Sequence, residues 1–166
     1  LKAISRHGVG YDNVDLNYIK KNNITLLLTA TANAVAVAEH VLAMFLSLSK
    51  SIINYDKEVR VGNFKKNASL IKTFELFNKN ILIAGFGRIG KKLITRCLAF
   101  DTKVYVYDPY IEEQIIKDHG GIKVSKIEEG LKIADYVSLH MPLTKETKNL
   151  LNYDVFKNQQ KIFFSK

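Results

Sequence analysis

Ile81-Leu82-Ile83-Ala84-Gly85-Phe86-Gly87-Arg88-Ile89-Gly90 is the stretch on which the reading of this chain turns. An apolar run reads as a strand, a Gly-x-Gly-x-x-Gly turn follows at once, and a helix-forming stretch comes next. In such a unit the first glycine makes the tight turn. The second lets the backbone approach a pyrophosphate, and the third lets the helix pack close to the sheet. The helix N-terminus then offers unpaired N–H groups and a partial positive charge to the anion. An acid stands where the next strand should end, in Val104-Tyr105-Val106-Tyr107-Asp108. A carboxylate there accepts both ribose hydroxyls of an adenosine and repels a 2′-phosphate. Pro109 and Tyr110 follow, with no adjacent arginine to welcome that phosphate. Turn and acid together predict a dinucleotide site that takes NAD rather than NADP.

Working outward, the pattern after residue 80 alternates strand and helix. Strands are expected at residues 81–84, 103–107, 122–124, 136–139 and 161–164, and helices at 88–100, 111–119, 126–132 and 153–157. That alternation implies an α/β fold with a parallel, doubly wound sheet of Rossmann type. The sheet is expected to be incomplete, with no helix to cover Ile162-Phe163-Phe164. Upstream lie a strand pattern at residues 1–5, the turn Gly8-Val9-Gly10-Tyr11-Asp12, a short helix at 14–21 and a strand at 24–28. Opening inside a strand pattern without a methionine predicts a piece of a longer protein. Asn33 is placed to cap a helix over residues 34–60. The first half of that helix is apolar on nearly every face, although Glu39 and His40 interrupt it. Such a helix is expected to be buried between domains or in a subunit interface. Residues 62–79 read as a polar crossing into the next unit.

The bulk numbers narrow the function classes. The chain has 166 residues, 47% of them apolar, enough for one domain with a real core. Cys97 is the single cysteine, so no internal disulfide is possible, and a reducing, cytoplasmic setting is expected. On the helix after the glycine turn, Cys97 is expected to pack rather than to react. No metal-binding set is expected. The net charge of +9 comes from lysines scattered along the chain, without an arginine-rich tract, so no nucleic acid is expected as partner. Such a positive field draws in an anionic cofactor and anionic substrates. No signal peptide is visible, and the apolar stretches are too short or too broken by charge to span a bilayer, so no membrane is expected either.

Several motifs together resemble the D-isomer-specific 2-hydroxyacid dehydrogenases, and most closely their phosphoglycerate dehydrogenase-like branch. The carriers are Ser5-Arg6-His7-Gly8-Val9-Gly10-Tyr11-Asp12-Asn13-Val14-Asp15, then Ala32-Asn33-Ala34 with Val37-Ala38-Glu39-His40. The glycine turn at 85–90, Tyr107-Asp108-Pro109-Tyr110, and Ala134-Asp135-Tyr136-Val137-Ser138-Leu139-His140-Met141-Pro142-Leu143-Thr144 complete the set. The resemblance implies a substrate domain made from both ends of the protein with a cofactor domain inserted between. Residues 1–32 would be a remnant of the substrate domain and 33–166 the NAD-binding domain without its C-terminal part. It implies that Val9 and Gly10 hold the substrate carboxylate through backbone N–H groups, in keeping with the anion-binding nest of a glycine turn. Arg6 would sit near a distal phosphate, or else form a surface ion pair with an acid such as Asp12 or Asp15. Gly85, Gly87, Arg88, Ile89 and Gly90 would hold the pyrophosphate and Asp108 the ribose. His140, Met141 and Pro142 would line the adenosine side, and Thr29 would stand near the nicotinamide. His7, His40 and His119 take no chemical role. The resemblance also implies a homodimer, with the helix at 34–60 in the contact and Phe45 and Leu48 facing the partner.

The sequence departs from the family pattern in places. Ala30 stands where proline is usual, Ala36 where serine is common, and Asn78 where glycine precedes a lysine. The family's catalytic arginine, glutamate and histidine are expected beyond Lys166, so no catalytic residue is assigned and this chain alone is expected to be inactive. The reading is therefore a piece of an NAD-dependent oxidoreductase for a small anionic D-2-hydroxy acid, with 3-phosphoglycerate as one candidate. The alternative is a non-catalytic NAD-binding or dimer-forming module, corepressor-like or a decayed paralogue.

Overall fold

The computed structural model describes residues 1–29, 31–63, 72–157 and 163–165, without the side chains of residues 154, 156 and 163–165. Two parallel strands open the chain. β1 (Ala3–Arg6) pairs with β2 (Thr25–Leu28), Ala3 opposite Thr25 and Arg6 opposite Leu28. A parallel pair needs a crossover, and α1 (Leu16–Lys21) supplies it. Asp15 starts that helix by accepting the Tyr18 N–H at 2.9 Å, which satisfies one of the orphan donors of the first turn.

The helix expected over residues 34–60 is two helices, α2 (Ala34–Ser49) and α3 (Ile52–Arg60), bent by 63°. No proline or glycine makes the break. Ser51 takes a left-handed φ of 50°, and its hydroxyl donates to the Lys72 carbonyl at 2.9 Å. The Phe74 N–H donates to the Ser49 carbonyl at 2.7 Å. The Phe74 N–H thus takes the Ser49 carbonyl that a continuous helix would have used itself. The expected cap is also corrected, because the Asn33 side chain makes no capping bond. Ala34, Ala38, Val41, Phe45 and Ser49 form the buried stripe of α2. Phe45 is 0% exposed and its ring lies 5.0 Å from that of Tyr136. It is a core residue and not part of an outward contact, whereas Leu48 is exposed.

The second sheet carries β3 (Asn80–Ala84), β4 (Lys103–Tyr107), β5 (Ile122–Lys123), β6 (Tyr136–Leu139) and β7 (Phe163–Ser165). Their order is β5-β4-β3-β6-β7, and every pairing is parallel. The helices are α4 (Arg88–Leu98), α5 (Glu113–Asp118), α6 (Ile127–Ile133) and α7 (Tyr153–Lys157). Residues on β3 alternate between two cores. Ile81 and Ile83 pack with Phe45 of α2, Leu93 and Ile94 of α4 and Ile116 of α5. Leu82 and Ala84 pack with Ile127 and Leu131 of α6. Helices therefore cover both faces, as a doubly wound sheet requires. Arg96 of α4 and Glu39 of α2 form an ion pair at 3.0 Å, which gives one of the charges interrupting the apolar helix a partner.

Asn78 has a φ of 56°, a left-handed conformation that asparagine tolerates better than most residues. Its exchange for the family's glycine is thereby explained. Ala30 and Ile162 lie outside the described residues, as do the side chains of Phe163 and Phe164. No single helix among the described residues is long and apolar enough to cross a membrane.

Candidate dinucleotide site

The strand order reverses between β3 and β6, and the crevice beyond the carboxyl ends of such strands is where ligands bind in open α/β sheets. Gly85 ends β3 with a φ of 100°, and its N–H donates to the Tyr107 carbonyl at 2.8 Å. A Cβ there would stand 2.7 Å from the His140 carbonyl carbon and 2.9 Å from the Met141 nitrogen. The first glycine thus allows both the turn and the close approach of the loop after β6. A Cβ on Gly90 would collide with the Gly85 carbonyl oxygen, so the third glycine seats α4 on the turn. Gly87 is different. It precedes the first turn of α4, and nothing lies within 4 Å of where its Cβ would be. That open space, next to the N-terminus of a helix and its partial positive charge, fits a pyrophosphate.

Asp108 is tied to this turn. Its Oδ2 accepts the Phe86 N–H at 2.8 Å and its Oδ1 accepts the Tyr110 N–H at 2.9 Å. A carboxylate offers about four lone-pair sites, so both oxygens keep capacity for ribose hydroxyls. Arg88, Lys91 and Lys92 line a groove of about 470 Å³ with Thr31 and Val35 from the region where α2 begins. The lysines and Thr31 were not singled out in the sequence. The place of Lys91 and Lys92 three and four residues after Arg88 on α4 is the signal that could have found the lysines, and Thr31 carried none.

The loop after β6 starts at His140, whose N–H donates to the Ala84 carbonyl at 2.7 Å. Its Nε2 lies 2.8 Å from the Ser138 hydroxyl. Burial pushes the imidazole pKa down to about 4, so the ring is neutral at pH 7. Met141 packs against the core shared with α6, and Pro142 is exposed. His119 turns an edge to Phe86, ring centroids 5.4 Å apart, and its Nδ1 lies 2.7 Å from the Ile115 carbonyl oxygen. Those contacts are structural. Cys97 is buried, and its thiol is pushed up to about 12 by desolvation, which leaves it inert as a nucleophile.

The second glycine turn lies at the end of β1. Gly8 has a φ of 117°, and its N–H donates to the Thr29 hydroxyl at 2.7 Å. The Val9 and Gly10 N–H groups donate to no group among the described residues. Thr29 therefore belongs to this turn in the structure. Of the two expectations for Arg6, the ion pair is corrected: its guanidinium hydrogen-bonds to the Asn13 side-chain oxygen and forms no salt bridge with Asp12 or Asp15 among the described residues. Asp15 is already engaged as the cap of α1. No group of three or more His, Cys, Asp or Glu side chains among the described residues could hold a metal ion.

Fold and turn define a Rossmann-type dinucleotide-binding domain. The chain belongs to the D-isomer-specific 2-hydroxyacid dehydrogenases, whose NAD-binding domain it matches over residues 42–163. It is 35% identical over 161 residues to D-3-phosphoglycerate dehydrogenase of Bacillus subtilis (strain 168), covering 97% of this chain and 30% of that protein. It is 34% identical over 152 residues to hydroxypyruvate reductase of Thermotoga maritima, covering 92% of this chain and 48% of that protein. The structure of D-lactate dehydrogenase from Aquifex aeolicus, complexed with NAD and lactic acid, superimposes with a TM-score of 0.85 at 33% identity, over 99% of this chain and 49% of that one. The chain thus spans less than half the length of each of these relatives.

Proposed function

We propose that this chain is the NAD-binding part of a dehydrogenase that oxidises the hydroxyl of a small anionic D-2-hydroxy acid, with 3-phosphoglycerate as the first candidate. One observation carries the cofactor reading: open space over Gly87 at the start of α4, beside a carboxylate already fixed to the same turn. Bound NAD would supply the hydride acceptor. The amides of Gly87, Arg88 and Ile89 would face the pyrophosphate, and Asp108 would accept the ribose hydroxyls and repel a 2′-phosphate. His140, Met141 and Pro142 would line the adenosine side. Val9 and Gly10, whose amides have no protein acceptor among the described residues, would hold the substrate carboxylate with Thr29 beside them. Arg6 would exchange the neutral Asn13 oxygen for a distal phosphate, a stronger charge-assisted partner. No residue of this chain is assigned to moving the hydroxyl proton or polarising the carbonyl. The division at residue 32 between substrate and cofactor domains is part of this proposal.

Binding of NAD and NADP by calorimetry tests the reading, with NAD expected to bind more tightly and Asp108→Ala expected to narrow the difference. A preference for NADP in the unmutated protein would overturn the role of Asp108. Turnover of D-3-phosphoglycerate against other D-2-hydroxy acids by the protein containing this chain tests the substrate.

We also propose a homodimer through the outward faces of α2 and α3. Leu48, Ile52 and Ile53 are exposed there while Ala34, Ala38, Val41, Phe45 and Ser49 of α2 fill the core. Sedimentation of a variant with Leu48→Glu and Ile53→Glu should show a monomer, and an unchanged dimer would place the contact elsewhere.

A further inference from the structure

Ser138 is fully buried in the middle of the second sheet, with β3 on one side and β7 on the other. Among the described residues its hydroxyl has one partner, the His140 Nε2 at 2.8 Å. A neutral imidazole has one N–H and one lone pair, and these allow two arrangements. If Nε2 carries the proton and donates to Ser138, the hydroxyl hydrogen is left without an acceptor among the described residues. A buried donor left unsatisfied is disfavoured. If the hydroxyl donates to the Nε2 lone pair, every buried hydrogen is satisfied and the ring proton sits on Nδ1.

The main chain that carries the ring is fixed. The His140 backbone N–H donates to the Ala84 carbonyl at 2.7 Å, and the His140 carbonyl oxygen lies against Gly85, where a Cβ would meet it at 2.8 Å. Nδ1 has no protein partner among the described residues. No buried side-chain nitrogen or oxygen among them lacks a partner, so Nδ1 reaches solvent. It does so on the residue that follows the carboxyl end of β6, beside the glycine turn.

We infer that Ser138 is a positioning residue that locks His140 as the Nδ1–H tautomer, so that His140 enters the dinucleotide cleft as a hydrogen-bond donor to an oxygen of the ligand. The inference rests on the cofactor reading for the identity of the ligand, but not for the tautomer.

Long-range nitrogen–proton NMR of the ¹⁵N-labelled protein without ligand reads the tautomer directly, with the His140 signals assigned by their loss in His140→Gln. Nδ1 is expected to show the protonated signature and Nε2 the unprotonated one. The reverse pattern overturns the inference without any variant of Ser138. Ser138→Ala should release the ring to a mixture of tautomers and weaken NAD binding about fivefold, the equivalent of one hydrogen bond of about 1 kcal/mol. Ser138→Thr should restore both. Unchanged NAD affinity in Ser138→Ala overturns the donor role. Absence of NAD binding in the unmutated protein overturns the cofactor reading instead and leaves the tautomer result standing.

Discussion

The glycines of the turn at Gly85 are fixed by backbone against backbone, whereas the amide of Gly8 hangs on one side-chain hydroxyl. At Gly85 the peptide after β6 leaves no room for a Cβ, and at Gly90 the Gly85 carbonyl oxygen leaves none. At Gly8 the nearest atom to a Cβ would be the Asn33 side-chain nitrogen at 3.8 Å, and the fixed contact is the Thr29 hydroxyl. Both turns follow a parallel strand and both present amides to an anion. A steric closure makes geometry inseparable from folding. A hydroxyl closure lets the geometry of the anion site be changed while the fold stays.

The sharpest way to break the comparison is inside the first turn. Gly90→Ala should cost about 3 kcal/mol or more in urea unfolding, because a backbone carbonyl must move. Gly87→Ala should unfold within about 1 kcal/mol of the parent yet lose NAD binding, since its Cβ enters open space meant for the ligand. A stable Gly90→Ala protein would show that the contact relaxes and that the two turns do not differ in kind.

The next effect is pH-dependent and belongs to the same region. His140 has a folded pKa of about 4 against 6.5 for the free side chain. Between those values the unfolded chain binds the proton and the folded one does not, so stability rises with pH across that window. As pH falls from 6.5 to 4, burial of this ring should cost at most about 3 kcal/mol. His140→Gln should flatten that part of the stability profile, and an unaltered slope would assign it to other groups.

At the second turn, Thr29→Val removes the acceptor of the Gly8 N–H. In the protein containing this chain, KM for the hydroxy acid should rise about fivefold, the equivalent of about 1 kcal/mol, while NAD affinity stays. Thr29→Ser should keep the parent value. A loss of NAD affinity instead would put Thr29 in the cofactor site. Smallest of all, Gly10→Ala should change stability by less than about 1 kcal/mol. Its Cβ would meet only the Asp12 carboxylate at 3.3 Å, the free end of a side chain that can turn away.

The sheet was legible because β3, β4 and β6 are short, largely apolar runs bounded by turn residues, and because Gly85 and Asp108 directly follow two of them. The bend between α2 and α3 was not legible. Ser51 is an ordinary helix residue, and the bonds that break the helix come from Lys72 and Phe74, which periodicity cannot see. Phe45 was misplaced for a related reason. A helix apolar on most faces does not declare which face its own sheet will take. Ser138 carried no signal beyond a polar residue in an apolar strand, and its meaning appears only when His140 is found above it.

β3 is made first of the five strands and ends in the middle of them, paired on both sides. One side closes with β4. The other waits for β6, and the bond from the Asn80 N–H to the Asp135 carboxylate spans 55 residues. Because every pairing is parallel, no hairpin can nucleate the sheet. Contacts this distant in sequence put the domain among slow folders. On the ribosome, β3 stays half-paired until residues 136–139 have emerged, with the backbone groups of its second edge open for that interval.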